Sequence, residues 1–188
     1  MDYFTDREFQ DRDLISGKLI RGTYDNCVFR DLDVSGSFLD GITFMDCAFV
    51  GCNLSNARVG GSQFSDTRFE ECKMLGLRIE NLGLMSNNLK FSNCQMDFCS
   101  FSHLNLKGVQ FHNCSLKESD FTESDLEGAE FKTCDLHRAQ FYRTNLQGAD
   151  FSSALGIQLD PEENSIRKAR FSLEALPGLL VKYGIKIE

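Results

Sequence analysis

This chain has no tryptophan, two prolines and three histidines among its 188 residues. No apolar run approaches the roughly 20 residues that a membrane helix needs. There is no Gly-rich phosphate loop, no GxSxG elbow and no HExxH helix. Eight cysteines are present, but no CxxC or His-bearing spacing of a zinc site accompanies them. His103, His112 and His137 are 9 and 25 residues apart, which suggests no shared metal site. These absences argue against an enzyme and imply no cofactor. The opening Met1-Asp2-Tyr3-Phe4-Thr5-Asp6 is acidic, which predicts no signal peptide and a soluble cytoplasmic protein.

What the chain does have is a period of five. Large residues recur from Phe4, Phe9, Leu14, Leu19 and Tyr24 to Leu84, and again from Phe91, Met96, Phe101 and Leu106 to Phe151. A helix repeats near 3.6 residues and a strand at 2, so neither accounts for it. A solenoid does, because each repeat buries its apolar face only by stacking on its neighbours. All eight cysteines fall two places before a large residue, a slot they share with Ala57, Ser62, Ser119 and Ala129. That register reads as reduced core filler. Arg7 and Arg12 occupy the same slot, which leaves the first coil least regular.

A period of twenty lies above the five. Phe91, Phe111, Phe131 and Phe151 form one column, and Gly108, Gly128 and Gly148 another, so a coil has four sides and recurrent turns with a permissive backbone. Cys94, Cys114 and Cys134 are expected to stack as a ladder of buried thiols. Leu84 to Phe91 is seven residues, two more than a repeat, which predicts a bulge or small loop at 85–90. The expected organisation is all-β, with a solenoid over 1–155 and a C-terminal segment over 156–188.

With its Ala/Cys/Ser-Asp/Asn-Leu/Phe-x-x pattern over residues 4–155, the chain resembles the pentapeptide-repeat family. The resemblance implies a right-handed quadrilateral β-helix of seven to eight coils, about 36 Å long at 4.8 Å per rung.

After Phe151 the sequence leads out of the period. Ser172 is positioned to cap a short C-terminal α-helix whose regular part begins near Pro177, and Gly184 to stop it. Leu176, Leu179, Leu180 and Tyr183 make an apolar stripe, and Ile185 and Ile187 alternate like a strand. The stripe fits either a cap for the last rung or a subunit contact. The ending resembles that of Qnr-type quinolone-resistance proteins, which implies a homodimer joined through the C-terminus; Pro177-Gly178 is a departure that shortens the helix.

Residues 1–155 carry 23 acidic and 15 basic side chains, and the rest five of each. This sign argues against direct nucleic-acid binding. It fits either an acidic rod that enters a basic groove or a charge that merely keeps a β-solenoid in solution. A duplex of the same length carries about 21 charges, so mimicry would depend on local clusters. Glu118, Asp120, Glu123, Asp125, Glu127 and Glu130 are the sequence candidate for electrostatic docking, and Asn87 and Asn88 at the slip are secondary candidates. Resemblance to Qnr-type and microcin-immunity proteins implies a DNA mimic acting on bacterial type II topoisomerases, DNA gyrase above all, against quinolones or peptide toxins. Many of those proteins have two projecting loops. Here Cys47–Leu54 runs through in register, leaving no room for the first, and the second is at most the extra residues at the slip. A scaffold or adaptor for an unrelated protein is the alternative, and an enzymatic reading would require a pocket at the slip or beneath the tail.

Overall fold

The computed structural model describes residues 2–15, 18–79 and 88–186. Each turn of the chain takes twenty residues and returns to pair in parallel with the turn before. Phe4, Tyr24, Phe44 and Phe64 stack on the first face, where Asn105, Asp125, Asn145 and Ser165 resume the ladder. The second face is a nine-stranded parallel sheet, Phe9 to Phe29, Phe49, Phe69, Phe91, Phe111, Phe131, Phe151 and Phe171. Asp33, Asn53, Lys73, Gln95, Ser115, Asp135 and Leu155 bridge along the third face. Phe38, Arg58, Arg78, Ser100, Asp120 and Gln140 do so along the fourth. The result is the expected quadrilateral β-helix of about eight turns, with a short helix, Leu176–Leu179, at its C-terminal end.

The core is a stack of rings and thiols. Successive phenylalanines on the second face lie nearly parallel at 4.5–5.4 Å, the favourable offset-stacked range. All eight cysteines are free and buried. The expected ladder of Cys94, Cys114 and Cys134 extends back through Cys72 to Cys52, and the thiols at Cys52, Cys72, Cys94 and Cys134 donate to carbonyl oxygens one coil earlier. In the first coil the slot takes Arg7, whose guanidinium covers the rings of Phe4 and Phe9 at 5.6 and 5.0 Å. Arg7 is exposed, so its charge stays in contact with solvent.

Every fold requires a backbone that turns, and here it turns in the left-handed region. Gly108, Gly128 and Gly148 have φ of 66, 68 and 68°, as their spacing suggested. The demand is general, however: Asp46, Asp66, Asn93, Phe98, Thr133 and Arg138 adopt the same conformation at the equivalent position of their repeats. The two-residue slip is absorbed between residues 79 and 88, since Phe69 pairs with Phe91 and Arg78 with Ser100 at an offset of 22. Residues 80–87, with Asn87, lie outside the described residues.

The ladder does not end at residue 155. Arg170–Phe171 pairs with Asp150–Phe151, and Asn145 bridges to Ser165, so a further turn follows. Its inward small-residue slot holds Asn164, buried because its amide donates to the carbonyls of Phe141 and Asp160 at 3.0 and 2.9 Å and its oxygen accepts from Thr144 N. Beyond it, Ser172 Oγ caps a 3-10 turn at Leu173–Ala175, the helix starts with Pro177 in its first turn, and Gly184 (φ 61°) stops a second 3-10 turn at Val181–Tyr183. Among the described residues no strand follows Gly184; Ile187 lies outside them.

Candidate functional site

The six carboxylates clustered in sequence are not clustered in space. A turn takes twenty residues, so Glu118 sits at the end of the third face, Asp120 on the fourth, Glu123 at the next corner, Asp125 and Glu127 on the first, and Glu130 on the second. Five have a cation or imidazole within 4.0 Å. Glu118 meets Arg138 at 3.5 Å; Glu123 meets His103 at 3.2 and Arg143 at 3.9 Å; Lys107 bridges Asp125 and Glu127 at 3.3 and 2.8 Å; Glu130 meets Lys132 at 2.8 Å. Lys132 and His112 hold the Glu130 carboxyl below its ordinary range, with Lys132 the larger influence. The sixth, Asp120, accepts from the backbone N–H of Thr122 at 2.9 Å.

Unbalanced charge lies elsewhere. The first four repeats of the first face, 2–6, 22–26, 42–46 and 62–66, contain Asp2, Asp6, Asp25, Asp46 and Asp66 and no Lys, Arg or His. None of these five has a cationic group within 4.0 Å among the described residues. Four are exposed; Asp25 is half-buried and accepts from the Tyr3 hydroxyl at 2.5 Å. Asp6, Asn26, Asp46, Asp66 and Asn88 form one corner column, all at positive φ. Asn26 donates to Asp6 at 2.7 Å and Asn88 to Asp66 at 2.6 Å, so carboxamides interleave the carboxylates. Asn88, a candidate from the slip, is thus a regular corner residue that extends this column. The strip was legible in the sequence at an offset of twenty, but not as a run of consecutive acids.

The C-terminal stripe divides. Leu179 packs against the core and Leu180 is half-buried, whereas Leu176 and Tyr183 are 43% and 55% exposed. Leu173, Val181 and Ile185 are exposed as well, at 80%, 58% and 55%. This end therefore presents a broad apolar surface, composed differently from the stripe read in the sequence. The tail is fixed to the last turn by Leu159 N–H donating to Gly178 O at 3.3 Å, and a Cβ at Gly178 would collide with the Ile157 carbonyl.

Beneath the tail is an open cavity of about 500 Å³ whose lining includes His137, Ser152, Ser153, Ser172, Glu174 and Pro177. His137 Nδ1 lies 2.6 Å from Asp135 Oδ1, an arrangement that orients an imidazole. No hydroxyl is hydrogen-bonded to this ring among the described residues, so no activated nucleophile is assembled. Nor do the described residues include a group of three or more His, Cys, Asp or Glu able to hold a metal ion. Among the described residues no helix is long and apolar enough to cross a membrane.

A model of the pentapeptide repeat region matches residues 42–121 and 62–141, together more than half the chain. Among solved structures, full-length QnrB1, a plasmid-mediated fluoroquinolone resistance protein, is similar at 17% identity and a TM-score of 0.48, covering 97% of each chain. HetL, a pentapeptide repeat protein involved in heterocyst differentiation regulation from the cyanobacterium Nostoc sp. strain PCC 7120, is similar at 16% identity and a TM-score of 0.39 over 92% of this chain and 88% of that one. Rfr23 from the cyanobacterium Cyanothece 51142 is similar at 10% identity and 0.25, over 78% and 88%. No curated protein sequence matches.

Proposed function

Because the chain belongs to the pentapeptide-repeat family, and because the first four repeats of its first face carry five aspartates and no cation, we infer that it is a non-enzymatic DNA mimic that docks by its first face. The partner is a basic, DNA-binding surface of a bacterial type II topoisomerase, DNA gyrase above all. The observation that carries this reading is the run of five aspartates over four coils without a balancing cation. Three of them, Asp6, Asp46 and Asp66, occupy corners that need a left-handed residue, which Asn or Gly supplies equally well, as at Asn26, Asn88 and Gly108. Asp46 and Asp66 are one rung apart, about 4.8 Å, where like charges repel by roughly 0.9 kcal/mol even in bulk water. The fold gains nothing from that repulsion; a cationic partner relieves it.

The density is adequate for mimicry. Three rungs span about 14 Å, over which B-DNA carries about eight phosphates. Five carboxylates are roughly three-fifths of that. The strip steers the rod toward a cationic groove at low ionic strength, and binding weakens with salt. The exposed leucines at the C-terminal end make a homodimer the arrangement that covers this apolar surface. Docking alone then destabilises a cleavage complex poisoned by a quinolone or a peptide toxin, in the cytoplasm where the enzyme works.

The test is a titration of the purified protein into gyrase supercoiling and ciprofloxacin-stabilised cleavage assays, beside the Asp46→Asn/Asp66→Asn variant. The reading expects inhibition or relief of poisoning by the natural protein, and a clear loss in the variant. No effect in either assay removes gyrase. Equal effects of both proteins remove the acidic strip and favour an adaptor that uses another face.

A further inference from the structure

The fourth face of the same N-terminal coils has the opposite character. Arg58 and Arg78 are register neighbours on its ladder, one rung apart and both exposed. Arg21 joins them at the adjoining corner, its Nε donating to Gly41 O at 3.4 Å. Asp40 is the single acid among the described residues of repeats 37–41, 57–61 and 77–79, and it lies 3.8 Å from Arg58. Glu80 follows in sequence, outside the described residues. The Arg78 side chain has no hydrogen bond or ion pair among the described residues. Arg58 is held in place from below: its guanidinium lies over the Phe38 ring at 4.8 Å, and that ring is itself 56% exposed.

An open groove of about 350 Å³ is lined by Asp40, Asn56, Arg58, Gly60, Gly76 and Arg78; the Asp40 carboxylate is engaged by Gly60 N–H at 3.0 Å and by Arg58. Gly60 and Gly76 keep its floor low; the side chains of Asp40 and Asn56 lean across them, in the space a Cβ would need. Two arginines one rung apart, one of them pre-oriented on an aromatic ring, present forked donors that match carboxylates.

We propose that this groove binds an acidic, extended segment of a partner protein, whose carboxylates pair with Arg58 and Arg78. The site is independent of the acidic strip. A face is about 10 Å wide, the span of three extended residues, so a short peptide fits within it. A nucleic-acid duplex is broader than one face, and the first face that adjoins this one carries aspartates without a balancing cation. Charge complementarity therefore selects a narrow anion over a broad one.

The experiment is fluorescence anisotropy on the full chain with a labelled peptide of alternating Glu and Gly, at low and at raised salt. A Lys-Gly peptide and a single-stranded oligothymidylate of equal length are run beside it. The proposal expects the Glu peptide to bind and to be released by salt. Arg58→Gln/Arg78→Gln should bind it about tenfold more weakly, the loss of two exposed charge pairs. Arg78→Gln alone should weaken it in part, and Asp46→Asn/Asp66→Asn should leave it unchanged. Circular dichroism confirms that the variants remain folded. Absence of binding at low salt overturns the proposal, as does equal binding by the double-arginine variant. Tighter binding of the oligothymidylate overturns it in favour of nucleic acid.

Discussion

Lys182 Nζ lies 2.7 Å from Asp160 Oδ1, and 2.6 Å from Glu162 Oε2, which makes one side chain the clasp between the tail and the last turn of the solenoid. The Tyr183 hydroxyl adds a 3.0 Å bond to Glu162. The two carboxylates raise Lys182 above its ordinary range, and Lys182 in turn holds both of them below theirs.

The clasp is therefore expected to open at both extremes of pH. Depressed carboxylates stabilise the closed form above their unfolded values, near 4, and that contribution disappears as pH falls through their folded values. The raised amine stabilises it below about 10.4 and ceases to do so as pH rises through its folded value. Lys182→Met should speed hydrogen exchange over residues 176–184 at neutral pH and leave the second-face strands protected. Unchanged exchange in the tail would show that the clasp holds nothing.

The ring column sets the scale for the body of the rod. Phe111 is fully buried between Phe91 and Phe131, at 5.0 and 5.1 Å. Phe111→Ala should lower unfolding free energy by about 3–5 kcal/mol. Phe171 is half-buried at the end of the column, 5.4 Å from Phe151 alone, and its replacement should cost about 1–2 kcal/mol. Equal losses in urea titrations would contradict a column whose ends are less tightly packed than its middle.

Much of this was legible in the sequence, because a five-residue period admits few folds. The register of Phe4 to Phe151, the two-residue slip and the inward slot of the cysteines all follow from side-chain size alone. What size does not reveal is where charges meet. Glu118 pairs with Arg138, His103 with Glu123 and Arg170 with Asp150, each at an offset of twenty. Acids adjacent in the chain are thus separated round the coil, and acids twenty apart are gathered. The extra turn after 155 was hidden for another reason. Asn164 is polar yet fills a core slot, since its carboxamide satisfies three backbone groups that a small apolar residue would leave to one another.

The thiol ladder yields a chemical prediction. Burial pushes the Cys47 and Cys99 thiols up to about 12, so at neutral pH they are neither ionised nor reachable, and thiolate is the reactive form. Native protein should react with a thiol reagent far more slowly than unfolded protein, which should show eight equivalents. The shift also fixes the alkaline limb of stability. Unfolded thiols ionise from about 8.5, folded ones not until about 12, so stability should fall progressively across that window. A Cys47→Ala/Cys99→Ala variant should show a shallower alkaline slope; an identical slope would assign it to other groups.

The corners offer the most direct test of the architecture. Thr133 adopts a φ of 50° at a position where Gly128 and Asn113 adopt 68 and 52° in neighbouring repeats. A β-branched side chain is strained there, by about 1–2 kcal/mol relative to a residue that tolerates the left-handed region. Its environment imposes no compensating burial, because the side chain is exposed and its hydroxyl bonds only to the Lys132 carbonyl. Thr133→Asn should therefore raise unfolding free energy by about 1 kcal/mol. Gly128→Ala, in open space at the same backbone angle, should lower it by a similar amount. Both are read as shifts in the urea midpoint at constant slope. If Thr133→Asn destabilises while Gly128→Ala is neutral, the left-handed corner does not limit stability, and the preference for Gly, Asn and Asp along this chain needs another cause.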